Sequence, residues 1–318
     1  MHVLFIMDPL PSLKAYKDSS VAMMRALTAR GHRISVALQA DLYIEMGQVR
    51  ARATPVSLVD GADLHEHAWW TQGQACEAAL GDFGAVVMRK DPPFDMEYFY
   101  SAQLLAYAQQ QGAKVFNAGH AICTHPEKLA ITEFAQFTSP TLVSRDMARL
   151  RAFHAQHGDV VVKPLDGMGG MGIFRVGGDG MNLGSIIETL NQGGATSVMA
   201  QAYLPEIALG DKRLLLIGGQ VAPYVLARIP QGSEVRGNLA AGGKGVAQPL
   251  QDADRAVAEA IAPVLAKRGL LLVGLDMIGN KVTEINVTSP TCFQEITDQT
   301  GFDVPAMFVD ALEAALAA

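Results

Sequence analysis

The sequence predicts an α/β protein that opens with a helix-flanked parallel sheet and continues as α+β. Three observations carry this reading. Short apolar runs alternate with helical segments up to about residue 123, glycine-rich turns then join strand-like runs in antiparallel fashion, and 318 residues are more than one core fills. Residues 3–7 form the first strand, too short for a signal segment and cut off by Asp8 and Pro9. Ser19 or Ser20 caps a helix with Val21, Met24 and Leu27 on one face, ending near Gly31. Strands at 32–38 and 83–88 follow, then a helix over 97–111 stopped by Gly112, then a strand at 114–116. After residue 123 the pattern changes. The runs 160–163 and 173–176 flank a glycine-rich turn and open a second, smaller domain. Strands at 198–201, 213–217 and 222–229 lead into a long glycine-rich loop through Gly245. An amphipathic helix over 252–268, strands at 270–278 and 281–287 across a Gly279–Asn280 turn, and a helix over 303–316 complete the chain as given.

Composition excludes several classes of function. Hydrophobic residues make up 49% and charged residues 18%, as in an ordered globular protein. A net charge of −7 without a basic run argues against a nucleic acid as main partner. No stretch reaches the roughly 20 apolar residues of a membrane helix. Cys76, Cys123 and Cys292 show no CxxC spacing and read as reduced thiols of a cytoplasmic protein, with neither zinc nor disulfides indicated. His65 and His67 in LHEHAWW lack further ligands, so a surface strand with Trp69 and Trp70 packed inward is favoured over zinc.

Two segments carry candidate chemistry. In VVKPLDGMGGMGIFRV, Lys163 ends a strand and Gly167, Gly169, Gly170 and Gly172 fill the turn, so backbone amides can reach an anion beside a fixed positive charge. A plain glycine-rich hairpin accounts for the same residues, and neither GxxxxGK[ST] nor GxGxxG is present. In GLDMIGNKVTEINVTSPT, Asp276 lies on one strand and Glu284 and Asn286 on the next. A three-residue turn over 279–281 sets Asp276 opposite Glu284 and Gly274 opposite Asn286, on one face suited to magnesium. A two-residue turn sends Asp276 to the other face, leaving an edge hairpin with solvated acids.

Arg89, Arg213 and Arg228 interrupt otherwise apolar strands, where they can grip carboxylate or phosphate oxygens. The loop 229–245, with Arg236 and Lys244, has the composition of a mobile lid that brings positive charge over a reaction centre. Cys292 lacks an assignable base and reads as a bystander.

Read in order, MDP at 7–9, KDSS at 17–20, MRKDPPFD at 88–95, EKL at 127–129, KPLDGMGG at 163–170, DKR at 211–213, ARIPQG at 227–232, RGNLAAGG at 236–243 and TEINVTSPTC at 283–292 resemble the ATP-grasp superfamily and, within it, the bacterial glutathione synthetases. The resemblance covers nearly the whole chain. It implies an N-terminal parallel α/β domain over 1–123, then two α+β lobes over 124–203 and 204–318 enclosing ATP. It places Lys128, Lys163 and the glycine turn on the phosphates, with Gln201, Tyr203, Leu204 and Asp211 around adenine and ribose. Asp276, Glu284 and Asn286 would hold magnesium, for which manganese can substitute. Asp18, Ser19, Arg89, Ser289 and Thr291 would contact γ-glutamylcysteine or glycine. Arg213, Arg228 and Arg236 would stabilise charge during transfer. A homotetramer in the cytoplasm is also implied. Other ATP-grasp ligases, joining alanines or adding glutamate, and a noncatalytic nucleotide-binding module are the alternatives, and MRKDPPF and ARIPQG speak against the other ligases.

Overall fold

The computed structural model describes residues 1–232, 236–239 and 242–317, and among these the strands form three sheets. The first holds β1 (His2–Ile6), β2 (Arg33–Ala37), β3 (Leu42–Glu45), β4 (Gln48–Leu58), β5 (Trp70–Gln72), β6 (Cys76–Ala79), β7 (Ala85–Met88) and β8 (Val115–Phe116). Its helices are α1 (Ser19–Ala29), α2 (Met96–Gln110) and α3 (Gly119–Thr124). The order is β3-β4-β2-β1-β7-β8, and β1, β2, β7 and β8 pair in parallel as the alternating pattern predicts. The parallel strands are apolar and buried from Val3 to Ile6 in β1 and along all of β7 because both faces are covered. Antiparallel β4, with β3, β5 and β6 against it, forms an edge unit that the sequence reading lacks. In β4 the polar Gln48, Arg50 and Arg52 alternate with the buried Val49, Ala51 and Ala53, the period-two pattern of a half-buried strand. His65 and His67 lie in a turn rather than a strand; Trp69 is buried and Trp70 opens β5.

The cap of α1 differs from expectation. Asp18, not Ser19 or Ser20, is the N-cap, accepting from the amides of Ser20 and Val21 at 2.7 and 2.9 Å. Both serines are inside the helix and buried, where their hydroxyls bond other elements.

The second sheet comprises β9 (Thr141–Ser144), β10 (Val160–Pro164), β11 (Phe174–Val176) and β12 (Val198–Ala202) in the order β11-β10-β12-β9, antiparallel throughout. The helices α4 (Met147–His157) and α5 (Leu183–Leu190) cover one face through Leu150, Ile187 and the valines of β10. The opposite face is left for the cleft.

The third sheet contains β13 (Asp211–Ile217), β14 (Gln220–Val221), β15 (Tyr224–Ile229), β16 (Lys244–Pro249), β17 (Leu272–Ile278) and β18 (Lys281–Asn286), ordered β16-β15-β13-β17-β18 with β14 on β13. Lys244 and Gly245 belong to β16, so the glycine-rich loop ends earlier than the sequence suggests; ladder pairing with β15 overrides the weak strand propensity of KGVAQP. The helix α6 (Asp252–Lys267) packs Ile261 and Leu265 on one face of this sheet.

The helices α7 (Phe293–Thr300) and α8 (Val304–Ala317) run back to the first sheet. Phe293, Phe308 and Leu312 share one core with Val3, Phe5, Val21 and Leu27, so the two ends of the chain are packed as a unit. Truncating Leu312 to alanine would cost about 2–5 kcal/mol. Arg30 reinforces the seam from α1, pairing with Asp310 and Glu313 at 2.7 and 2.8 Å.

Candidate active site

The site is a cavity of about 320 Å³ between the second and third sheets. Its floor is the β17–β18 hairpin. Ile278 pairs with Lys281, so the turn has two residues, Gly279 and Asn280, rather than the three on which the expected alignment depended. A bulge between Asp276 and Met277 then shifts the ladder, leaving Thr283 extra, and Asp276 pairs with Glu284 and Gly274 with Asn286. Both carboxylates therefore face one side despite the shorter turn. The Thr283 hydroxyl donates to the carbonyl of Asp276 at 3.2 Å and secures the bulge.

Beside this floor stands a buried ionic cluster. Arg213 lies opposite Asp276 across β13 and β17, and its Nε and Nη2 donate to the two carboxylate oxygens at 2.5 and 3.1 Å. Arg228, opposite Asp211 on β15, reaches the Asp211 carboxylate at 2.6 Å and that of Asp276 at 2.9 Å. Although burial works against the charged form, Arg213 and Arg228 hold the Asp276 pKa down to about 2. Burial also opposes charge on Arg228, but Asp211 and Asp276 keep its pKa above the ordinary arginine value. Asp211 has one arginine partner where Asp276 has two, so burial dominates, is resisted by Arg228 and aided by Asp276, and its pKa rises to about 6. Asp211 Oδ1 is buried without a partner. Cys292 is buried nearby; burial pushes its thiol up.

The opposite wall carries the cations and the glycine turn. Lys163, near the end of β10, donates to the carbonyl of Thr283 at 3.1 Å. Burial pushes its pKa down to about 8; Glu284 resists this and Lys128 adds to it. Lys128 pairs with Glu284 at 3.1 Å and also donates to the carbonyl of Gly167, joining the turn to the hairpin. Gly169 and Gly170 take φ of 60° and 83°, the left-handed region that glycine reaches without strain. A Cβ at Gly170 would also lie 2.8 Å from Asn238 Oδ1, so the Asn238 side chain would have to shift. From the loop 229–245, Arg236 donates to the carbonyl of Gly170 at 3.1 Å, so this part of the expected lid lies on the glycine turn. Residues 233–235 and 240–241 of that loop lie outside the described residues.

At the outer rim, Gln201, Tyr203 and Leu204 line the cavity. The Gln201 amide donates to Thr141 Oγ1 at 3.0 Å, and Arg175 stacks over the Tyr203 ring at 3.8 Å while forked onto Asp159. Arg175 carried no sequence signal of its own. Ser289 and Thr291 reach the cavity wall, as do Asp276, Glu284 and Asn286. Asp18, Ser19 and Arg89 are not among its lining residues. Asp18 caps α1, Ser19 accepts from the amide of Phe293 at 3.2 Å, and Arg89 bridges Ser20 to the carbonyl of Pro290, both at 2.9 Å. Arg89 Nη1 is buried without a partner. Asp211 lies beside Arg228 on the cavity wall. Glu127 was visible only as part of EKL; its carboxylate clasps the end of β18.

The architecture has well-matched neighbours among solved structures. The D-cycloserine synthetase DcsG superposes with a TM-score of 0.68 at 17% identity, over 99% of this chain and 100% of that one. The ATP-grasp ligase PsnB complexed with minimal precursor does so at 0.63 and 19%, over 98% and 99%. The fold is ATP-grasp, and the chain is an ATP-dependent carboxylate–amine ligase of that class. The prokaryotic glutathione synthetase N-terminal domain matches residues 1–122 and the ATP-grasp domain of the same family matches 127–301. A glutathione synthetase of Bordetella parapertussis is 68% identical over 316 residues, 99% of either chain, and one of Neisseria meningitidis serogroup A is 55% identical over 312, 98% of either. The chain belongs to the prokaryotic glutathione synthetase family. No described helix is long and apolar enough to cross a membrane.

Proposed function

We propose that this chain joins glycine to the C-terminal carboxylate of γ-glutamylcysteine, using ATP and releasing glutathione, ADP and phosphate. What supports the reading most is one juxtaposition: Lys128, Lys163 and the glycine turn line the same cavity as Asp276, Glu284 and Asn286. Such a clamp suits a triphosphate. A carboxylate oxygen of the peptide attacks the γ-phosphorus, ADP leaves, and an acyl phosphate forms. The neutral glycine amine then attacks the acyl carbon, phosphate departs, and the amine proton is lost.

The donor set fits magnesium. Lys128 engages Glu284 at Oε1, Asn286 donates its Nδ2 to the carbonyl of Gly274 and so keeps Oδ1 as acceptor, and Asp276 retains lone pairs beyond its arginine bonds. When bound, magnesium would neutralise phosphate oxygens.

In this reading Lys163 and Lys128 orient the phosphates. Arg213 and Arg228, fixed by Asp276 and Asp211 before substrate arrives, face the charge that develops on the transferring group and on the tetrahedral oxyanion. Arg236 closes the glycine turn against water, protecting the acyl phosphate from hydrolysis. Ser289 and Thr291 border the acceptor end, and Arg89 with its unpartnered Nη1 backs the peptide region. The same reading divides the chain into a peptide-holding domain over 1–123 and ATP-enclosing lobes over 124–203 and 204–318, in a cytoplasmic homo-oligomer.

Phosphate release measured with γ-glutamylcysteine plus glycine, and with each omitted, tests it. Release at full rate only with both substrates, one phosphate per glutathione, is the expected result. Equal release with D-alanine or glutamate replacing the dipeptide would sink it.

A further inference from the structure

β18 is the last strand of its sheet, so one row of its backbone N–H groups faces away from β17. An edge row of this kind needs partners when buried. From Ile285 to Thr288 those partners come from one residue. Glu127 gives its main-chain carbonyl to the amide of Ile285 at 2.9 Å. Its Oε1 accepts from the amide of Val287 at 2.9 Å, the amide of Thr288 at 3.0 Å and the Thr288 hydroxyl at 2.8 Å. Ile285 and Val287 are two apart and direct their amides to the same edge, so Glu127 stands in for a neighbouring strand. From the other side, Asn117 Nδ2 donates to the carbonyl of Val287 at 2.8 Å. The exit of β18 is therefore pinned through both peptide groups of Val287.

The neighbour in sequence extends this coupling. Lys128 reaches Glu284 and the carbonyl of Gly167, so residues 127 and 128 together fix the strand that presents Glu284 and Asn286 and tie it to the glycine turn. We propose that Glu127 is a positioning residue, whose carboxylate sets the height and direction of the Glu284–Ser289 segment and thereby the oxygen donors offered to magnesium and nucleotide. This rests on the magnesium reading above. Its role is acceptor geometry, with no contact to substrate required.

The variants Glu127→Gln, Glu127→Asp and Glu127→Ala separate this role from a bulk effect of charge or packing. Glutamine keeps an acceptor oxygen at the same reach without the charge, whereas aspartate keeps the charge and withdraws the oxygen by one methylene. Binding of a non-hydrolysable ATP analogue is measured by calorimetry at graded magnesium concentrations, alongside kcat, KM and melting temperature. In Glu127→Ala and Glu127→Asp the magnesium concentration for half-maximal binding should rise about 10–100-fold, with kcat falling comparably. Glutamine should restore most of both, and nucleotide binding without magnesium should be unchanged in all three. Leu312→Ala, a core truncation at a residue that does not line the cleft, should lower the melting temperature without moving the magnesium midpoint. If the alanine chain does not fold, the glutamine and aspartate pair still decides. An unshifted magnesium midpoint in Glu127→Asp, or a glutamine variant as impaired as the aspartate one, overturns the proposal. Were the unmodified protein to bind nucleotide independently of magnesium, the metal reading itself would fall, and this inference with it.

Discussion

Raising the pH should weaken the hold on a triphosphate while stabilising the unliganded fold, and Lys163 supplies both effects. Burial holds its pKa at about 8, against 10.5 for a free lysine. The cation is therefore lost as pH rises through 8 in the folded protein and through 10.5 in the unfolded chain. At pH 9 only about a tenth of unliganded molecules keep the ammonium. Restoring it against phosphate oxygens takes up roughly 0.9 proton on binding and weakens affinity about tenfold relative to pH 7, ~1.4 kcal/mol. Between the two pKa values the unfolded chain binds more protons than the folded one. Unfolding free energy of the unliganded protein should therefore climb across that window by up to roughly 3 kcal/mol. Calorimetry with a non-hydrolysable ATP analogue in two buffers of different ionisation enthalpy reads the proton uptake, and urea melts from pH 8 to 10.5 read the stability. Both are compared with Lys163→Met, in which neither slope should remain. Uptake below about 0.2 proton at pH 9, or the same uptake in the methionine variant, would refute the reasoning.

Three further outcomes are expected. Arg228→Ala should lower kcat by roughly 10²–10³ if the guanidinium stabilises developing negative charge; a change confined to the KM for the dipeptide would make it a binding residue only. Glu284→Gln should lose most turnover while keeping its melting temperature, because one carboxylate donor to magnesium disappears, and near-normal turnover would remove the residue from the metal site. Asp18→Ala should cost about 1 kcal/mol of stability through the lost α1 cap and leave the dipeptide KM unchanged; the reverse pattern would return Asp18 to the substrate-contacting set.

The parts of the molecule that were legible share a physical cause. β1, β7 and α6 are regular, apolar on the faces they bury, and bounded by strong punctuation such as Gly269, so local pattern and final structure agree. The glycine turn and the hairpin carboxylates were legible because their chemistry is unusual for their setting. What failed was set by distant partners. β16 is a strand because β15 lies beside it, not because KGVAQP favours extension. Ser19 looks as good a cap as Asp18 until the helix begins one residue earlier and the hydroxyl turns to Phe293. The bulge at Thr283 leaves no mark in a period-two reading, yet it decides which face Glu284 takes. Glu127 satisfies amides some 160 positions later in the chain, a pairing that only tertiary structure creates.

The buried ions and the irregular backbone around them form one arrangement. Two arginines and two aspartates out of water are costly unless each is paired, and removing any one leaves a stranded charge. Their persistence is easier to understand as preorganisation than as stabilisation: donors held still beforehand need not reorganise when charge moves. Gly274 leaves room for the Arg213 side chain beside β17. A Cβ there would lie 3.0 Å from Arg213 Cδ and 3.1 Å from its Nε, so a larger residue would press on the arginine that forks onto Asp276. The bulge at Thr283 then brings Glu284 to the side of Asp276, and Glu284 meets Lys128 while the Thr283 carbonyl meets Lys163. One small residue and one extra residue in a short hairpin thus bring cationic and anionic groups together along the cleft, and a ligand that is itself a polyanion with a divalent cation matches that lining.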